Sequence, residues 1–362
     1  MNSLKAIART FFKIGLFGFG GGPGMLAMVR NECVKKKGLI TDDELTTAVA
    51  IGQMLPGPFV PNYCEYIGYC LAGLRGAVVA GIALLFPSFL IMLILSYLYF
   101  TFHTLPAVAQ IFKGIGAVMT GIILWAGFDM GKVVLIRTNR IIVFVFSLVL
   151  FLIKFDPVLA VLSAGFLNLL LERMRVFKII SVVPLITFDL KKAMELFGIF
   201  AKIGSVIFGG GYAAIPFIQK EVSVYRNWLS PKEFLDGFAL GQITPGPVAI
   251  TATFVGFKVM GLIGALIATI GIFLPSFLML ILLVKVYKKV EGNLYVQSFL
   301  DGIKSAVVAI LISTGIFFIP ANWVNLSYGI LGTATFLLLL FVKKIDPVLF
   351  IIAGILLGIF IG

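Results

Sequence analysis

The sequence predicts an all-α polytopic membrane protein made of two homologous units, arranged as inverted-topology repeats with broken or re-entrant helices. Three observations carry this. The 362 residues are 60% hydrophobic and 12% charged, with mean hydropathy +1.11, against roughly 25% charged residues in a soluble domain. Much of the chain occurs twice, and repetition governs how every segment is interpreted. Each copy carries the same break inside an apolar segment, Pro56-Gly57-Pro58 and Pro245-Gly246-Pro247.

The repeat is read residue by residue. Lys13-Ile14-Gly15 recurs as Lys202-Ile203-Gly204, and Phe19-Gly20-Gly21-Gly22 as Phe208-Gly209-Gly210-Gly211. Glu32 matches Glu221, Glu44 matches Glu233 and Gln53 matches Gln242. After the Pro-Gly-Pro the offset shortens by one residue: Gly68 pairs with Gly256, and Pro87-Ser88-Phe89 with Pro275-Ser276-Phe277. Asp156-Pro157-Val158-Leu159 returns as Asp346-Pro347-Val348-Leu349. The expected division is 1–172, a connector over 173–192, and 193–362.

The same elements follow in order within each unit. A Gly-interrupted apolar segment (7–29 and 196–218) leads through a charged loop to the segment broken at Pro-Gly-Pro (45–71 and 234–259). Then come a span with a central proline (75–100 and 263–284) and a further span (108–130 and 297–319). Two short segments close each unit (141–153 with 157–171, and 327–342 with 347–361), below the roughly 20 residues a bilayer asks of a helix.

Charge sets the orientation. In the first unit the span 75–100 starts beside Arg75 and ends near His103, whereas its copy 263–284 ends at Lys285, Lys288 and Lys289. Cytoplasmic loops carry the excess of Lys and Arg, so the copies insert in opposite senses, as in many secondary transporters. Inversion calls for an odd number of crossings per unit. Taking the Gly-interrupted segment as crossing and the Pro-Gly-Pro segment as re-entrant gives five each, about ten in all. This leaves Lys5 and Arg9 outside, a conflict that an interfacial helix over Leu4–Phe12 would soften.

Several function classes fall away. Cys33, Cys64 and Cys70 form no metal or disulfide pattern and His103 is the only histidine, so no metal or cofactor is expected and an enzyme is disfavoured. The glycines from Gly18 fail the nucleotide-loop template at Pro23, and no Walker lysine follows. A net charge of +13 fits basic loops facing anionic lipid better than nucleic acid.

Proline lacks an N–H and disfavours the helical conformation in its predecessor. A helix that stops and restarts in a membrane exposes amides and the positive end of its dipole, which suits an oxyanion. The expected substrate site gathers Pro56, Gly57, Pro58, Pro245, Gly246 and Pro247, with Gln53 and Gln242 either donating to the anion or cross-bracing helices. Thr244 is expected to cap a second half-helix opening at Pro245 or Pro247, with Thr251 and Thr253 one turn along. The glycines Gly20, Gly21, Gly22, Gly209, Gly210 and Gly211 either present amides or let helices approach closely. Lys13 and Lys202 either attract the anion or snorkel. Glu65, with Phe254 near its place in the second unit, is the proton-coupling candidate, the alternatives being a pair with Arg75 or exposure to water. Glu32 and Glu221 are expected in loops, as solvated or gate ion pairs. The bland alternative is that Pro-Gly-Pro only kinks packed helices.

The stretches Phe208–Pro216, Trp228-Leu229-Ser230, Glu233–Gly237, Leu240–Phe254 and Phe273–Phe277 resemble the chromate transporter family, over nearly all of the second unit. The first unit departs at Pro23–Ala27, at Gly38-Leu39-Ile40 and at Phe59–Asn62. The resemblance implies a multi-pass cytoplasmic-membrane transporter that exports chromate, driven by membrane potential or a proton gradient, with sulfate as the look-alike anion. Rival expectations are an organic-acid transporter of the same fold and a membrane scaffold. Oligomeric state is left open, a homodimer being allowed.

Overall fold

A computed structural model describes residues 4–18, 21–103, 105–153, 155–172, 190–208, 211–290, 293–323, 325–342 and 347–361. Among these residues the chain is helical throughout, without strands. The first unit contains α1 (Leu4–Phe17), α2 (Gly21–Val29) running into a π-helical stretch Arg30–Lys36, α3 (Asp42–Met54), α4 (Phe59–Phe102), α5 (Pro106–Val134), α6 (Thr138–Leu152) and α7 (Pro157–Leu171). The second repeats the order with α8 (Leu190–Gly204), a 3₁₀ turn Gly211–Ala213, α9 (Ala214–Gln219), a π-helical stretch Lys220–Tyr225, α10 (Pro231–Ile243), a 3₁₀ turn Val248–Ile250, α11 (Thr251–Val290), α12 (Leu294–Asn322), α13 (Leu326–Phe341) and α14 (Pro347–Ile361). Four stretches, within α4, α5 and α12 and across the 3₁₀ turn into α11, are long and apolar enough to cross a membrane; α6, α7, α13 and a stretch of α14 are shorter apolar helices.

Local chemistry sets the helix ends. Thr41 and Glu44 form a capping box at the start of α3, and Ser230 and Glu233 form the same box at α10 with Pro231 in its first turn. Each reciprocal pair satisfies two of the amides a helix start leaves open. α3 stops where Leu55, ahead of Pro56, is extended, and α10 stops likewise at Thr244. α4 and α11 are each two helices joined at a tight turn, Ala72-Gly73 and Met260-Gly261, where the glycines have φ of +61° and +60°. That left-handed conformation is cheap only for glycine.

At these turns the chain reverses. Gly68 packs on Gly76 and Gly256 on Gly264. The first part of α4 therefore runs back along α3, making the Pro-Gly-Pro segment a re-entrant hairpin with Pro56-Gly57-Pro58 at its apex, as expected.

The first segment of each unit takes a path different from the crossing expected for it. The ammonium of Lys13 reaches Glu32 at 3.0 Å, and Lys37 donates to Thr10 at 2.7 Å. The arm from α2 to Lys37 thus returns antiparallel to α1, making a second re-entrant hairpin. Length and hydropathy alone cannot separate one crossing from two half-length arms. The return resolves the charge conflict: Lys5 and Arg9 share an end of the bundle with Arg30, which is bonded to Asp42 (2.6 Å).

The inversion is visible in α5 and α12. These equivalent helices lie side by side with opposite directions, Gly127 against Ile312, Gly131 against Val308 and Gly315 against Leu124. The short closing helices are exchanged: α6 and α7 pack on α12, while α13 and α14 pack on α5. Arg140, at the start of α6, is ion-paired with Asp301 of α12. Burying the short helices against the other unit's long span lets 15- and 16-residue segments contribute a full apolar face.

The two units differ in how their hairpins are seated. Ile7, Phe11, Ile14, Leu45, Tyr63 and Leu84 belong to a core of the first unit's own. The second unit's hairpin residues, such as Phe200, Phe217, Phe234, Phe238 and Phe254, merge into the main core with residues of α4 to α7 and α12.

Candidate functional site: the two Pro-Gly-Pro apices

Each apex reaches into the opposite unit. The Gly57 amide donates to the Ile207 carbonyl at 2.6 Å, and the Gly246 amide to the Gly18 carbonyl at 2.8 Å. Both acceptors lie just past the end of a first helix, α8 and α1, where carbonyls lose their intrahelical donors. Gly57 and Gly246 have φ of +102° and +106°. A side chain at Gly57 would collide with Ser276, and one at Gly246 with Ser88. Pro-Gly-Pro is therefore a cross-unit contact, and the serine of each Pro-Ser-Phe sits over the other unit's apex.

Polar groups around the apices are unequal. In the second unit Gln242 is 8% exposed; its Oε1 accepts from the Tyr212 hydroxyl (3.4 Å) and its Nε2 has no partner among the described residues. Tyr212 lies edge-on to Trp125 of α5. In the first unit Gln53 is exposed. The Ser88 hydroxyl is buried without a partner among the described residues, whereas Ser276 donates to the Phe273 carbonyl at 2.9 Å. Tyr212, Ser88 and Ser276 were not among the sequence candidates; the Tyr following three glycines and the repeated Pro-Ser-Phe were the available signals.

Thr244 does not cap the second half-helix. Its hydroxyl donates back to Leu240 (2.7 Å), closing α10, while Pro247 occupies the cap position without a side-chain bond. The extended conformation imposed ahead of Pro245 leaves Thr244 at the end of one helix, not the start of the next. Thr251 donates to the Val248 carbonyl at 2.9 Å. Among the glycines, Gly21 and Gly22 open α2 and Gly211 opens the 3₁₀ turn; Gly20, Gly209 and Gly210 lie outside the described residues.

The two lysines stand away from the apices, toward the outer ends of their hairpins. Lys202 pairs with Glu221 (3.1 Å) and Asp156 (3.5 Å), as Lys13 pairs with Glu32. Glu32 also holds Lys36 at 3.0 Å, and Glu221 also holds Arg226. The hydrogen bond from Lys13, reinforced by Lys36, holds the Glu32 carboxyl below the usual carboxylate range. The two matched ion pairs stand at opposite ends of the bundle and tie the arms of a hairpin together.

Glu65 lies apart from the apices, in the reversed part of α4 against Gly81. It is 3% exposed and its Oε2 has no partner among the described residues. It lines a cavity of about 410 Å³ between α4 and α11, whose walls include the equivalent residues Ile82 and Ile270, Phe86 and Leu274, and Phe89 and Phe277. The second-unit counterpart is Thr253 and not Phe254: Thr253 bonds Thr269 at 2.7 Å, at the place where Glu65 meets Gly81. The single-residue shortening falls before this point in the sequence.

The chromate transporter family profile matches residues 5–169 and 194–359. This chain belongs to the chromate transporter family. It is 31% identical to an uncharacterized transporter of Methanocaldococcus jannaschii, over 97% of this chain and 93% of the relative. It is 29% identical to a chromate transport protein of Cupriavidus metallidurans, over 99% and 93%, and 29% identical to one of Pseudomonas aeruginosa, over 87% and 80%. No solved structure matches. The chain is accordingly a multi-pass membrane ion transporter, and its family implies an anion substrate.

Proposed function

We propose that the protein is a secondary transporter exporting a tetrahedral oxyanion, chromate first and sulfate as its analogue, across the cytoplasmic membrane. The observation that carries this is the pair of buried apices, each docked on the other unit beside open helix ends. Backbone amides of half-helices bind anions without fixed cations; Gln242, Gln53 and the amides of the triple-glycine runs are assigned as further donors, and Thr251 becomes one only when its bond to Val248 opens. Lys13 and Lys202, held by carboxylates in this state, are assigned to the entry of the anion at either end. Glu65 is assigned to proton coupling, because an ionisable side chain buried in an apolar cavity within a membrane span is the default candidate for that role.

The unequal seating of the hairpins supports an alternating-access mechanism. In α3, Asp43, Thr46, Thr47, Ala50 and Gln53 recur at helical spacing on one face, at least partly exposed. The equivalent of Asp43, Lys232, is also exposed, but those of the other four, Leu235, Asp236, Ala239 and Gln242, are buried, where α10 packs on α5, α14 and α4. One polar face is wet while its twin is docked. By the positive-inside rule the end bearing Arg30, Arg75 and Arg140 is cytoplasmic, so this state opens inward. Exchange of the two arrangements would open the other end. The test is chromate uptake by everted vesicles with Gln242→Leu beside the parent chain: a loss of at least about ten-fold with normal insertion is expected, and unchanged uptake removes the apex from the substrate path.

A further inference from the structure

Tyr99, near the end of α4 in the first unit, donates its hydroxyl to Asp236 of α10 at 2.7 Å. The partners are 137 residues apart, and both are buried. Around them Tyr99 stacks on His103 and meets Phe112 and Phe254 edge-on. One turn earlier in α10, Glu233 takes Lys258 at 3.0 Å, tying the two arms of the second hairpin into one body. A hydrogen bond to a buried carboxylate is among the stronger single contacts a protein makes. Here it joins the docked hairpin to the opposite unit.

The first unit lacks this acid. The offset of 189 that relates Glu44 to Glu233 places Thr47 opposite Asp236, on the exposed stripe of α3. The offset of 188 that relates Ser88 to Ser276 pairs Tyr99 with Tyr287 in sequence. The acid is thus single where the repeat would allow two, and the contact it makes lies on the closed side. We propose that Tyr99 and Asp236 are positioning residues for transport: their hydrogen bond holds the second hairpin shut while the first stands open. The inference rests on the alternating-access reading, but it concerns conformation and not the identity of the anion.

Ala50 and Ala239 provide the test, being equivalent residues on the two faces, one half-buried and one buried. Ala50→Cys and Ala239→Cys are each introduced with Cys70→Ser, leaving the buried Cys33 and Cys64. The full-length protein in lipid nanodiscs is treated with a water-soluble maleimide, and labelling is located by mass spectrometry. Ala50→Cys should label and Ala239→Cys should not. Adding Tyr99→Phe should raise labelling at 239 by about five-fold or more and lower it at 50, since losing such a bond shifts a two-state balance by roughly ten-fold. Asp236→Asn, which still accepts from Tyr99, should keep the parent pattern.

A rise at both sites would mean simple loosening, and no change at either would mean the bond does not set the balance; both outcomes overturn the proposal. Chromate uptake measured in parallel separates the two readings. Reciprocal labelling without transport of any oxyanion rejects the substrate and keeps the positioning pair. Transport without reciprocal labelling does the opposite.

Discussion

Gly246 donates its amide to Gly18 across the boundary between the two units, and Gly57 mirrors it on Ile207. Each glycine is caught between a carbonyl and a serine of the other half, so neither unit completes its apex alone. Gly246→Ala and Gly57→Ala meet two penalties together, a left-handed backbone and a collision with Ser88 or Ser276. Backbone strain alone is worth about 1–2 kcal/mol. Gly73→Ala has the strain without the collision, because nothing lies within 4 Å of the added carbon. Transport per inserted protein should therefore fall far more for the apex variants than for Gly73→Ala. Equal behaviour of all three would remove the apex contact from the account.

Much of this arrangement was legible in the sequence because its causes are local. Prolines stop helices wherever they stand, and a duplicated Pro-Gly-Pro marks two apices before any coordinates exist. The capping residues Thr41 and Ser230 announce α3 and α10. The return of the first segment was not legible: 7–29 has the length of a crossing, and it takes the tertiary contacts of Lys13 with Glu32 and of Lys37 with Thr10 to disclose the antiparallel arm. Thr244 misled because threonine before proline looks like a helix cap, while the tertiary path makes it the end of α10. Tyr99 and Asp236 were invisible for another reason. Nothing local connects residues in different units, and Thr47, the equivalent of Asp236, breaks the symmetry of the repeat.

The ion pairs at the hairpin bases make a prediction in acid. The Glu32 carboxyl is held below its ordinary value of 4.5 by Lys13 and Lys36. A depressed folded value means that its contribution is complete above the unfolded value and is lost as pH falls through the folded one. Limited proteolysis near Lys37 should stay slow from pH 7 to about 5 and accelerate below about 4. Glu32→Gln should be cleaved faster at neutral pH with little further change in acid. Acid sensitivity identical in parent and variant would place the weak point elsewhere.

Glu65 separates two driving forces. With Glu65→Gln the cavity keeps its shape and loses its titratable group, so transport should no longer respond to an imposed pH gradient while still responding to membrane potential. Retention of the full pH-gradient response in Glu65→Gln would exclude this carboxyl from coupling. The second-unit pair offers a folding control: Thr253→Val removes the bond to Thr269 and should cost about 1 kcal/mol of stability without altering that response.

Topology is open to labelling with cysteines introduced singly at Asn139, Lys288 and Asn322. The inverted arrangement places the first two on the cytoplasmic side and the third outside. Asn139 and Asn322 reacting from the same side would contradict antiparallel α5 and α12.

The most direct measurement is anion uptake by proteoliposomes across a panel of chromate, sulfate, molybdate and phosphate, with and without an imposed potential. Export of net negative charge is favoured by an inside-negative cell. Vesicles made positive inside should therefore accumulate chromate faster than unpolarised ones, with sulfate competing. If no member of the panel is moved or competes under either condition, the oxyanion reading is wrong.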